Sequence, residues 1–323
     1  MTTRPRISSH DRLWCIAPDY LQGLLDRATV TPEVTAQLGI GKSAQQYENT
    51  NGVAIIDVAG VLTKCPDFIN TLFGLGTAML DIGQQVEHAA DDDDVSAILL
   101  RIDSPGGSVR GTADLAATVA AANKVKPTVA YAEDMMASGA YWIGSAAGKV
   151  YSNSTAIVGS IGTYAALLDS SGAADKLGLK VHVVRAGAFK GAGTPGTEVT
   201  PEQLAEWQRT VDSLNVHFVQ GVATGRKMST SAVSELADGR VHVGAEAQRL
   251  GLTDGVRSFA DVLQELQQQR KPKVKAPTQS IEQRYRAGIS ALIAEGVPRI
   301  EAVRKLARQQ PDLHRAYQQF TDR

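Results

Sequence analysis

Residues 95–123, VSAILLRIDSPGGSVRGTADLAATVAAAN, decide the fold. Val95 to Ile102 is a short apolar run of strand length, Ser104-Pro-Gly-Gly-Ser108 is a turn, and Arg110 to Asn123 is long enough for a helix. The same alternation extends outward in both directions. Strands are predicted at Val53 to Val58, Thr128 to Tyr131, Lys149 to Tyr151 and Lys180 to Val184, and helices at Thr77 to Ala90 and Ala137 to Ala147. Strands alternating with helices are the mark of an α/β domain. A long helix from Pro201 to about Thr224 follows, with Thr200 as N-cap, Pro201 at the first helical position and Gln203 completing a capping box. Shorter helices at Ser231 to Ala237, Ala245 to Leu250 and Phe259 to Gln269 close the domain, and no internal repeat is visible.

The flanks read differently. Residues 1–51 form an N-terminal adaptor segment with a helix around Pro18 to Ala28, residues 52–269 the α/β body, residues 270–278 a basic, Pro-broken linker, and residues 279–323 a helical basic tail. Gly296 and Pro311 divide that tail into three helices, Ser280 to Ala294, Pro298 to Arg308 and Pro311 to Phe320. From Arg270 to Arg323 there are 12 Lys and Arg against 5 Asp and Glu, a balance of +7; the whole chain is −1, so the body carries −8. The tail suits an acidic partner or nucleic acid, unless it is simply a solvated helical appendage. At 43% hydrophobic and 21% charged residues, the 323-residue chain is neither collagen-like nor disordered. Cys15 and Cys65 are too few for a disulfide framework, which points to a reducing compartment. The longest uncharged stretch, Val150 to Leu168, is too polar to span a membrane, and the N-terminus carries no secretory leader pattern. The expected location is the cytoplasm.

Several chemical-looking strings carry no chemistry. Asp91 to Asp94 lacks the spaced ligands, turn glycine and distal Glu of a calcium loop. Gly191-Ala-Gly-Thr-Pro-Gly196 fits G-x-G-x-x-G, but Pro195 interrupts the helix start and no acidic residue follows at the right distance. The 6 histidines are scattered, so no metal is expected, and no serine occupies a G-x-S-x-G elbow.

Three glycine-flanked segments suit acyl transfer. Asp103-Ser-Pro-Gly-Gly-Ser108 turns a strand end into a helix start, where free N–H groups attract developing negative charge; a plain tight turn is the competing reading. Met135-Met-Ala-Ser-Gly-Ala-Tyr141 follows a strand, and its small residues let a peptide backbone come close to an exposed Ser138 hydroxyl, unless Ser138 only caps the helix. Ala186-Gly-Ala-Phe-Lys-Gly-Ala-Gly193 sets Lys190 among small uncharged residues, where desolvation favours the neutral amine that can take a serine proton. An exposed loop lysine is the alternative.

Together these segments resemble the serine peptidases related to signal peptide peptidase A, which place a serine and lysine dyad on a Clp-protease or crotonase-like fold. The resemblance spans about Val53 to Gly255 and is carried by S-P-G-G-S at 104–108, A-S-G at 137–139, V-G-S-I-G at 158–162 and Lys190, 52 residues after Ser138. It implies Ser138 as nucleophile, Lys190 as general base, Gly107 and Gly139 as oxyanion donors, and Ser160 as the residue orienting the lysine, with neither cofactor nor metal. Ala140 departs from the family's second glycine and is expected to narrow the cleft slightly. A soluble member with an adaptor and a helical extension is similar to the phage and prophage head maturation proteases. That likeness implies a capsid or scaffold substrate, a cyclic homo-oligomer whose sites draw serine and lysine from neighbouring subunits, and a place in the host cytoplasm or the assembling procapsid. A bacterial cytoplasmic peptidase degrading signal peptides, a crotonase-type acyl-CoA enzyme and an inactive scaffold protein are the alternatives.

Overall fold

The computed structural model describes residues 13–16, 47–65, 76–269 and 280–321. Within these the elements run β1 (Leu13–Ile16), β2 (Glu48–Thr50), β3 (Val53–Ala59), β4 (Val61–Thr63), β5 (Gly76–Ala78), α1 (Met79–Asp91), β6 (Ala97–Ser104), β7 (Gly106–Ser108), α2 (Thr112–Val125), β8 (Thr128–Ala137), α3 (Gly139–Ser145), β9 (Lys149–Ser152), β10 (Ile157–Gly159), β11 (Tyr164–Ala165) and α4 (Ser171–Lys176). They continue with α5 (Pro201–Arg226), α6 (Thr230–Leu236), β12 (Val241–Val243), α7 (Gly244–Arg249), β13 (Gly255–Val256), α8 (Phe259–Gln268), α9 (Ile281–Ala294), α10 (Arg299–Gln309) and α11 (Pro311–Thr321). The chain divides into two compact units after Arg270.

The first unit is the α/β core. Its main sheet runs β12-β10-β8-β6-β3-β2, parallel through the middle and antiparallel at both ends, and β9 pairs with the first half of β8. Alternation along β6 sends Ile98, Leu100 and Ile102 into the larger core with Ile82, Val86 and Val119 of α1 and α2. Leu99 faces the other way, joining Val53, Val129 and Tyr131 beneath Val262 and Leu266 of α8. Burial on both faces is what a parallel sheet covered by helices requires. A second sheet, β11-β1-β7-β4-β5, begins where the chain leaves β6 through Pro105.

Three expectations change. No strand forms at Lys180 to Val184; Val181 is exposed and Val184 is 99% exposed. A β-favouring run becomes a strand only when a neighbour pairs its N–H and C=O groups, and among the described residues none does. The capping box at α5 is half made: Thr200 Oγ1 accepts the Gln203 N–H at 3.3 Å, but the Gln203 side chain is buried and its Oε1 has no partner among the described residues. β8 runs on to Ala137, beyond the predicted Tyr131, because Met135 to Ala137 pair with β10. The predicted helix at Pro18 to Ala28, most of the adaptor and the 270–278 linker lie outside the described residues.

The second unit comprises α9, α10 and α11, packed on Tyr285, Leu292, Ala302 and Leu306. Tyr285 stacks on Tyr317 with ring centroids 4.1 Å apart and hydrogen-bonds His314 Nδ1 at 2.6 Å. A full capping box between Ser280 and Gln283 opens α9.

Candidate active site

β8 delivers Ser138 to the point where the main sheet meets α3. The residue has φ 54° and ψ −125°, a left-handed conformation that side-chain-bearing residues avoid. It is held there from both sides: its N–H donates to the Gly159 carbonyl at 2.7 Å, and its carbonyl accepts the Trp142 N–H at 3.0 Å. Its side chain makes no capping hydrogen bond, so the serine is not there to stabilise the helix. The expected exposed hydroxyl is a correction, because Ser138 is only 1% exposed. Ala140 is fully buried in the main core.

Ser160 stands in the equivalent place on the adjacent strand. Gly159 is in register with Ala137, so Ser160 and Ser138 leave neighbouring parallel strands side by side. Ser160 also has a positive φ, 49°, is 6% exposed, and donates its N–H to the Arg240 carbonyl at 2.8 Å. Two adjacent residues outside the ordinary φ range, each fixed through its main chain, form a built arrangement.

Gly107 lies in β7, buried, with Leu62 of β4 opposite it in the ladder. A Cβ at this position would collide with the Leu62 carbonyl oxygen, so only glycine fits. Local hydrogen bonds set the turn that brings it there: Ser104 Oγ donates to the Gly60 carbonyl at 2.6 Å and accepts the Gly106 N–H at 3.1 Å, while Thr112 Oγ1 donates to the Ser108 carbonyl at 2.8 Å. α3 packs against β7. Gly139 opens α3, where helix geometry leaves the first N–H groups without intrahelical acceptors. Burial, reinforced by the negative charge of Asp134, holds the Asp103 carboxyl above its ordinary range, against the opposing hydrogen bond from the Met135 backbone.

Lys190 is not brought to Ser138. It lies exposed in a turn-rich loop, its N–H bonded to the Gly187 carbonyl at 3.1 Å, and its Nζ makes no hydrogen bond or ion pair with a described residue. Among the described residues no group of three His, Cys, Asp or Glu could hold a metal.

Residues 120–273, which include Ser138, Ser160 and Lys190, match the description Peptidase family S49. The chain carries a peptidase family S49 domain. S49 is a family of serine peptidases. The chain is 36% identical over 177 residues to Putative protease MJ0651 of Methanocaldococcus jannaschii, covering 55% of this chain and 57% of that one. It is 34% identical over 188 residues to Putative signal peptide peptidase SppA of Enterococcus faecium, covering 58% and 55%. Capsid assembly protease C of Escherichia phage lambda is 30% identical over 222 residues, covering 69% and 50%. The chain thus spans about half the length of these curated relatives.

The sequence pointed to Ser138, Ser160 and Gly139 within the S49 match and to Gly107 before it, and the structure gathers their segments around the ends of β8, β10 and β7. It did not foretell the paired positive φ values. The only signal was that each serine follows a small residue at a strand end, Ala137 and Gly159.

Proposed function

We propose that this chain is a serine endopeptidase in which Ser138 Oγ attacks the scissile carbonyl carbon while Lys190 of a neighbouring copy takes its proton. The negative oxygen of the tetrahedral intermediate is held by the N–H groups of Gly107 and Gly139, in the manner of an oxyanion hole. Collapse breaks the C–N bond, and the lysine returns the proton to the leaving amine. A water, deprotonated by the same lysine, then hydrolyses the acyl-enzyme. Ser160 orients the lysine amine toward Ser138.

The observation that carries this reading is Ser138 itself, held with φ 54° in an S49 domain without a capping role to explain it. Strain of this kind costs on the order of 1–3 kcal/mol and persists where surrounding contacts dictate it, typically at functional sites. Lys190 follows the exposed, unpaired run that carries Val181 and Val184, with Leu177, Leu179 and Phe189 exposed beside it. That apolar strip supports a second copy pairing along it, which would strip water from the ammonium and favour the neutral base. The head-to-tail contact closes into a ring.

For substrate, we favour a capsid or scaffold protein of a phage head. Similarity to the lambda capsid assembly protease, at 30% identity over 69% of this chain, supports this reading. A second reading, degradation of signal peptides, is supported by the Enterococcus relative at 34% identity. No helix among the described residues is long and apolar enough to cross a membrane. The basic tail serves as contact for an acidic partner.

Hydrolysis of a labelled protein substrate tests the dyad. Ser138→Ala and Lys190→Ala should each lower kcat by roughly 10⁴-fold or more, and the double variant should be scarcely worse than either. Retention of full activity by Lys190→Ala at neutral pH would remove the dyad. A capsid or scaffold protein cut in preference to a signal peptide supports the first substrate reading; the reverse preference supports the second.

A further inference from the structure

We propose that Leu13–Ile16 is a built-in occupant of the peptide-binding lane, a strand of the chain's own N-terminal region that closes the site until a substrate displaces it. The proposal rests on the peptidase reading of Ser138.

The strand lies between β7 and β11 and is antiparallel to both. Its register sets Trp14 against Ser108, Cys15 against Gly107 and Ile16 against Gly106, while Leu13 and Trp14 meet Ala165 and Tyr164 on the other side. Gly107 is the candidate oxyanion donor. A polypeptide whose carbonyl is to be polarised by that strand must run along it as extended chain, and the side of β7 toward β4 is already filled. The lane that remains is the one β1 occupies.

Taking β1 away leaves a gap one strand wide, about 9–10 Å from β7 to β11 at ~4.8 Å per strand. Two rows of main-chain donors and acceptors would then face each other across it. Such a lane binds an added strand by backbone hydrogen bonds with little demand on its sequence. Among the described residues β11 has no other neighbour in the sheet, so an incoming strand replaces the lost ladder on both sides. The state of the serines agrees: at 1% and 6% exposed, Ser138 and Ser160 cannot receive a polypeptide until something is displaced. A four-residue strand is short enough to exchange without unfolding the domain.

Two measurements on the full chain test this. In a strand flanked on both sides, successive N–H groups point to opposite neighbours, so Trp14→Pro and Cys15→Pro each delete one ladder bond. Each should raise kcat/KM for fluorescein-labelled casein by roughly three- to tenfold, and Ser138→Ala should erase the gain. Hydrogen exchange is followed separately in full-length Ser138→Ala, with and without excess unlabelled casein peptides. The peptides should speed exchange at Trp14, Cys15 and Ile16 and leave β6 protected. Peptide binding with β1 still protected, or proline variants that melt normally yet gain no activity, would overturn the proposal. Should the proline variants unfold, the exchange result decides. Peptide-induced loss of protection in β1 without Ser138-dependent hydrolysis in any variant would keep the occupant and overturn the peptidase reading.

Discussion

Ser138 keeps φ 54° because Gly159 and Trp142 hold its main chain, and that makes the strain measurable apart from activity. Replacement by glycine frees the conformation, whereas replacement by alanine keeps the Cβ in it. Ser138→Gly should therefore be the more stable of the two by about 1 kcal/mol in denaturant melts, although both should be inactive. Equal stability would mean that the backbone there is not strained by a side chain. The chemistry of these positions was legible in the sequence because glycine and serine strings advertise turns and close approach. Their geometry was not, since a φ value is imposed by hydrogen bonds from β10, which is remote in sequence. Ala140 shows the same limit from the other side. Its position after Ser138 suggested the cleft, and helix phase turns it into the core.

α3 packs against α5, and glycines of α5 make room for it at the contact. Trp142 stacks on Phe218 with centroids 5.0 Å apart, and Gly221 and Gly225, one turn apart, leave room for the Trp142 ring and the Ser145 carbonyl. Alanine normally strengthens a helix by about 1 kcal/mol over glycine. At Gly225 its methyl would meet the Ser145 main chain, so Gly225→Ala should destabilise by about 2 kcal/mol on thermal melting and lower kcat by shifting Ser138. A rise in Tm would show that α5 can retreat without cost. The last residue of α5 is tied by Asp254, which accepts from Arg226 Nη1 at 2.8 Å and from the Val150 N–H at 2.7 Å. Burial alone would raise this carboxyl; hydrogen bonds from Arg226 and Val150, with the charges of Arg226 and Lys149, outweigh it and hold the pKa below the usual carboxylate range. Because the folded pKa is the lower one, the stabilisation is complete above the unfolded value of ~3.9 and disappears as pH falls through the folded pKa. Asp254→Asn should cost about 2–3 kcal/mol at pH 7, since Arg226 is 7% exposed and would lose its partner, and the difference from the parent should shrink in acid. A constant difference across pH would assign the effect to packing. Helices and central strands were readable in the sequence because periodicity and caps are local. The short strands of the second sheet were not, since each is defined by its neighbours more than by its own residues.

For the whole molecule, the proposed reading draws serine and lysine from neighbouring copies, and activity would then belong to the assembly. Mixing Ser138→Ala with Lys190→Ala under subunit exchange should restore activity at interfaces that join an intact serine to an intact lysine. Mixed rings without recovery would place both groups in one chain. The missing strand at Lys180 to Val184 fits the same division: its sequence asks for a ladder that the described residues do not supply. That has a consequence for the newly made protein. A run carrying Leu177, Leu179, Val181, Val184 and Phe189 toward solvent is the kind of surface on which chains aggregate and chaperones act. Slow synthesis in a dilute cell leaves it uncovered longest, and rapid synthesis beside many sister copies shortens that exposure. The yield of intact protein should therefore rise with expression rate over the range where most proteins begin to precipitate.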